Sequence, residues 1–92
     1  MSDAIRHVTI RGRVQGVGYR YFVEHEARAR GLEGWVRNRR DGSVEATVQG
    51  NPEAIAAVID WARQGPPGAL VTDLKESEGT GDYSTFETRP TE

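Results

Sequence analysis

The 92-residue chain contains no cysteine. Disulfides, thiolate metal sites and thiol nucleophiles are therefore excluded, and a reducing compartment fits such a chain. Lysine is nearly absent too: eleven of the twelve basic residues are arginine, and physical chemistry offers no account of that bias. No segment approaches the length of a membrane span. The opening Met1-Ser2-Asp3-Ala4-Ile5-Arg6 lacks the apolar stretch of a secretory signal, so a cytoplasmic protein without membrane partners is expected. Heptads are missing, which leaves a monomer as the expected state. An excess of positive charge is missing as well. The net charge of −2 argues against generic binding to a nucleic-acid backbone.

What is present suffices for one small core. Hydrophobic residues make up 36% of the chain, enough for two thin layers, and residues 1–92 are expected to form a single domain. Charge is unevenly spread. Residues 1–40 hold nine arginines against four acids, a net of +5, while residues 41–92 carry a net of −7. A basic first half suits a small anionic ligand.

Local patterns give the element order. Val8, Ile10, Gly12 and Val14 alternate with His7, Thr9, Arg11 and Arg13, predicting a strand over Ile5 to Val14. Tyr19, Phe22, Val23 and Ala27 form the apolar stripe of a helix from Tyr19 to Arg30, with Gly31 as its stop. Strands over Leu32 to Arg39 and Ser43 to Gln49 flank an Asp41-Gly42 turn and read as an antiparallel hairpin. Asn51 as cap, Pro52 at the first position and Ile55, Val58, Ile59 and Ala62 on one face predict a second helix, ended by Gly65-Pro66-Pro67-Gly68. Ala69 to Glu78 reads as a fourth strand, with Leu70, Thr72 and Leu74 opposite Val71 and Asp73. A turn at Gly79-Thr80-Gly81-Asp82 leads to a short strand from Tyr83 to Thr88, and Arg89 to Glu92 reads as a frayed end. The order β-α-β-β-α-β plus a short strand is that of the α+β, ferredoxin-like two-layer sandwich, an antiparallel sheet with two helices on one face.

Chemistry concentrates in Gly12-Arg13-Val14-Gln15-Gly16-Val17-Gly18-Tyr19-Arg20. A strand, a glycine-bearing turn and a helix start make a ring of free backbone N–H groups. Such a ring binds anions. Arg20 adds a planar charged fork suited to phosphate. Walker A fails, because Tyr19-Arg20 follows Gly18, and the dinucleotide pattern is only half met by Gly16 and Gly18. The loop has no Ser or Thr to hold magnesium, which argues against a nucleotide–metal site. In the nucleophile-x5-Arg spacing of cysteine phosphatases, with Arg20 as the arginine, Val14 takes the nucleophile's place. Hydrolysis must then use water directly. Water attacks ordinary phosphate monoesters extremely slowly, so the cradle suits an activated phosphate such as a mixed anhydride.

These residues resemble the acylphosphatase signature. The resemblance continues in Gly34-Trp35-Val36-Arg37-Asn38, Asp41-Gly42 and Val44-Glu45, and in Gly65-Pro66-Pro67 before the fourth strand, so it covers nearly the whole chain. Family members commonly have Phe where Tyr19 stands, which implies slightly different helix packing and an unaltered set of loop donors. The resemblance implies hydrolysis of an acyl phosphate to a carboxylate and inorganic phosphate, with no metal or other cofactor. It makes Arg20 the phosphate-binding arginine and Asn38 the residue that aims the attacking water. The backbone N–H groups of Gln15, Gly16, Val17, Gly18, Tyr19 and Arg20 would hold the phosphoryl oxygens. No side-chain base is evident, so the substrate's own phosphate is expected to take the proton.

Other residues read as structural. Trp35 is expected to pack, His25 to be solvated between Glu24 and Glu26, and His7 has no partner at a metal-ligand spacing. Arg37, Arg39 and Arg40 read as a solvated hairpin tip, with substrate attraction as the alternative. Two other functions fit the same element order. One is a module that senses phosphate or a carbamoyl-type phosphate within a larger complex. The other is an RNA-binding sheet, but the positions that would stack bases are His7, Thr9, Arg11, Glu45, Thr47 and Gln49, none of them aromatic.

Overall fold

The computed structural model describes residues 3–92. Met1 and Ser2, which begin the stretch read above as no secretory signal, lie outside them. The elements are β1 (Ala4–Arg13), α1 (Tyr19–Ala29), β2 (Glu33–Asn38), β3 (Val44–Gly50), α2 (Pro52–Gln64), β4 (Leu70–Glu78) and β5 (Phe86–Thr88). All but β5 start and end within one residue of the sequence expectation. Helix ends explain the agreement. Asn51 Oδ1 accepts from the N–H of Glu53 at 2.8 Å and caps α2. At the end of α1, Leu32 N–H donates to Ala27 O at 2.9 Å and Gly31 N–H to Arg28 O at 3.1 Å, a Schellman closure. Among the described residues no helix is long and apolar enough to cross a membrane.

The five strands pair in the order β4-β1-β3-β2-β5. Both β1 and β2 run antiparallel to β3, so they point the same way and end at the same edge of the sheet. Val8 and Ile10 of β1, Val36 of β2 and Val44 and Val48 of β3 face the helices. Val23 of α1 and Ile55, Val58 and Ile59 of α2 close on them to form the core. This is the ferredoxin-like sandwich expected from the element order.

Three features differ from the sequence reading. The sheet is mixed, not antiparallel, because β5 pairs parallel with β2. β4 finishes beside the start of β1, where Gly79 N–H donates to Ile5 O at 3.0 Å. The chain then crosses the open face, where Tyr83 exchanges hydrogen bonds with the Gln49 side chain. It therefore re-enters at the start of β2 and must run in the same direction. Secondly, a bulge at Arg11/Gly12 breaks the alternation of β4. Val71 and Leu74 both pack on the core, while Leu70, expected on the face of Leu74, is 63% exposed. Thirdly, the tail is not frayed. Arg89 N–H donates to Val36 O at 2.9 Å, and Glu92 N–H to Asn38 O at 3.2 Å. The edge of β2 offers unpaired backbone groups, and the tail satisfies them.

Candidate active site

The link from β1 to α1 is built around Gly16 and Gly18, at φ 74° and 78°. Only glycine adopts these left-handed conformations without strain. Space is not the reason, since a Cβ at either position would meet nothing within 4 Å. The helix that follows is started differently from α2. Gly18 supplies no side-chain cap, and the first turn of α1 holds no acidic residue. Tyr19 and Arg20 open the helix, where a backbone N–H has no intrahelical acceptor. Its positive end is left for an anion, whereas α2 closes its own with Asn51 and Glu53.

The split topology brings a second residue to this point. Asn38 is the last residue of β2 and shares the helix-facing side with Val36. Because β1 and β2 end at one edge, Asn38 arrives beside the loop that leaves β1. Gly16, Gly18, Arg20 and Asn38 line one pocket of ≈ 410 Å³. Arg20 is half-buried. Glu24, one turn further along α1, is paired with Arg28 at 3.1 Å and leaves the Arg20 guanidinium to the pocket. Asn38 Oδ1 is buried and has no hydrogen-bond partner among the described residues. A buried acceptor left unpaired costs about 1–3 kcal/mol. Asn38 itself lines the pocket, so its amide stands beside any donor that enters.

Not every expected residue lines the pocket. Val17 does not; it packs on the core. Gln15 does not either, and its side chain turns away, donating to Arg39 O at 2.7 Å and Ser43 O at 2.9 Å. That bond ties the loop to the hairpin tip. Tyr19 lines the pocket, but its phenol is buried and donates to Ala62 O at 2.6 Å. Burial pushes this phenol above the usual tyrosine range. The bond satisfies a carbonyl in the last turn of α2. Tyr21, Glu24 and Thr88 also line the pocket and were not picked out from sequence. Glu24 lies four residues beyond Arg20, so helical spacing could have found it; Tyr21, one residue on, is off that face and carries no such signal. Thr88 lies on β5 and is brought in by the unexpected parallel pairing.

The acylphosphatase family model matches residues 6–88. The chain belongs to the acylphosphatase family. It is 58% identical over 82 residues to an acylphosphatase of Rhodopseudomonas palustris (strain BisB18), covering 89% of this chain and 83% of that one. It is 52% identical over 93 residues to one from Synechococcus sp. (strain JA-2-3B'a(2-13)), covering 99% of each. The structure of an acylphosphatase from Coxiella burnetii superposes with a TM-score of 0.91 at 37% identity, covering 96% of this chain and 94% of that one. Acyl-phosphate hydrolysis is the activity of acylphosphatases, and the chain is a hydrolase of that class.

In this acylphosphatase the basic hairpin residues are largely engaged elsewhere. Arg37 Nε and Arg39 Nη1 donate to Glu45 Oε1 at 2.8 and 3.0 Å. Glu45 Oε2 lies 2.7 Å from His7 Nε2, and Glu92 also pairs with Arg37. Burial alone would raise the Glu45 pKa, but the bonds from His7, Arg37 and Arg39 outweigh it and hold the carboxyl below its ordinary value. Arg40 is exposed. The Arg37 guanidinium lies 4.8 Å from the centre of the Trp35 ring and that of Arg89 5.0 Å, so Trp35 packs as expected. His25 is exposed, also as expected. At the hairpin tip, Asp41 Oδ1 accepts from Ser43 Oγ at 2.6 Å and from Ser43 N at 2.9 Å. These bonds, with the Arg11 charge, hold the Asp41 pKa at about 2. Among the described residues no three His, Asp or Glu side chains gather as metal ligands.

Proposed function

We propose that this acylphosphatase cleaves its substrate by direct attack of water on phosphorus, without a metal and without a phosphoenzyme. Backbone N–H groups of Gly16, Gly18, Tyr19 and Arg20, the loop residues that line the pocket, hold the phosphoryl oxygens, and Arg20 grips two of them with its planar fork. Asn38 Oδ1 accepts a hydrogen from the attacking water and aims it opposite the acyl oxygen. The P–O bond to the acyl group breaks as the new P–O bond forms. The carboxylate leaves with the bonding electrons, and the water's second proton passes to a phosphoryl oxygen. A carboxylate, with a pKa of about 4, is a good enough leaving group to need no general acid. Arg20 and the open end of α1 supply the positive charge that a metal would otherwise bring.

The observation that carries this reading is Asn38, which lines the Arg20 pocket and whose buried Oδ1 has no hydrogen-bond partner among the described residues. We further propose that the whole chain acts as one domain, as a cytoplasmic monomer that binds acyl phosphate and releases phosphate. Nucleic acid is not a partner in this reading: Trp35 on the open sheet face lies under Arg37 and Arg89 and presents no free ring for stacking.

The test is phosphate release from benzoyl phosphate and acetyl phosphate in the presence of EDTA. Full turnover is expected. Arg20→Lys should lose most of it, because a point charge cannot replace the bidentate fork. Dependence on added metal, or full activity in Arg20→Lys, would refute the mechanism.

A further inference from the structure

The pocket is larger than a phosphate requires. Its ≈ 410 Å³ falls within the range of about 300–1,000 Å³ that takes a whole small organic ligand. The acyl half of the substrate therefore has walls of its own, and one of them is aromatic. Tyr21 lines the pocket next to Arg20 while remaining 71% exposed. The other two large exposed apolar residues among those described, Trp61 and Leu70, do not line it. The Tyr21 ring is not loose. It stacks on His25, one helical turn along α1, with ring centroids 6.2 Å apart and planes 26° from parallel. Glu24, whose carboxylate is paired with Arg28, also lines the wall and leaves Tyr21 exposed.

We propose that Tyr21, braced by His25, forms a subsite for the acyl half and selects flat aromatic acyl groups over small aliphatic ones. An aryl ring stacked on Tyr21 removes both from water, whereas an acetyl group reaches too little of the ring to gain the same contact. This inference rests on the acyl-phosphate reading of the pocket, but selectivity can be measured apart from turnover.

The experiment compares non-hydrolysable benzoylphosphonate and acetylphosphonate as ligands, by calorimetry, and benzoyl and acetyl phosphate as substrates. Wild type, Tyr21→Ala and Tyr21→Phe are compared. Tyr21→Ala should reduce the preference for the benzoyl ligand by roughly three- to tenfold, the range of one aromatic pair. In the substrates the loss should fall on KM. Tyr21→Phe should keep the wild-type preference, because the ring acts and the hydroxyl does not. An unchanged benzoyl-to-acetyl ratio in Tyr21→Ala would overturn the inference, as would an equal loss in Tyr21→Phe. Absence of turnover with intact benzoylphosphonate binding would strike the hydrolytic reading and leave the subsite standing.

Discussion

Replacing Asn38 with alanine should separate activity from stability. Its Oδ1 is buried without a partner among the described residues. Keeping such an acceptor dry costs about 1–3 kcal/mol. Alanine removes that penalty and also the packing of a half-buried side chain, a loss of roughly 1 kcal/mol. The difference leaves stability level or raised by up to about 2 kcal/mol. In a domain of this size each kcal/mol gained raises Tm by about 4–8 °C. Turnover should move the other way. Loss of one positioned group that acts on the reacting atoms lowers kcat by about 10²-fold or more, about 2.7 kcal/mol in the barrier. Urea unfolding gives the first quantity, and phosphate release from benzoyl phosphate at saturation gives the second. A variant with wild-type kcat would refute the water-positioning role. A variant destabilised by more than about 2 kcal/mol would show that Asn38 is a structural residue whose acceptor is satisfied in solution.

Tyr19→Phe should destabilise the fold by about 1–2 kcal/mol, because the Ala62 carbonyl loses the 2.6 Å bond from the phenol; a wild-type urea midpoint would contradict this. Gly34→Ala should prevent folding or cost well over 3 kcal/mol, since its φ is 135° and a Cβ would sit 1.9 Å from Thr47 O; a cooperative melt near the wild-type Tm would be inconsistent with that clash. The Asp41 pKa falls from 3.8 unfolded to about 2 folded. The folded state thus binds fewer protons, and this group's stabilisation, complete above pH about 4, is lost as pH falls through about 2. Glu45, also held low, acts in the same direction. Unfolding midpoints measured from pH 5 to pH 2 should drop less steeply in Asp41→Asn than in wild type, and parallel curves would show that the Ser43 and Arg11 contacts do not matter in solution.

Much of the site was legible because its parts are local. A glycine turn between a strand and a helix start dictates free N–H groups whatever surrounds it, and Gly18 and Arg20 fall within three residues of each other. The Asn51 cap and the Gly31 stop are legible for the same reason, since backbone hydrogen bonds over one turn of chain decide both. Asn38 was reached only through the resemblance of its motif. As an isolated residue it reads as an ordinary hairpin asparagine.

Tertiary structure decided what depends on residues far apart in the chain. The parallel pairing of β5 follows from where β4 ends, and it brings Thr88 to the pocket. The bulge opposite Gly12, where a Cβ would lie 2.0 Å from Leu70 O, puts Val71 on the core face together with Leu74 and leaves Leu70 exposed. Glu45 collects His7 from β1 as well as Arg37 and Arg39 from across its own hairpin. Short-range torsional and capping preferences are written in adjacent residues and can be read there. Strand partners and ion-pair choices are settled by competition for burial among distant segments, and only the assembled sandwich resolves that competition.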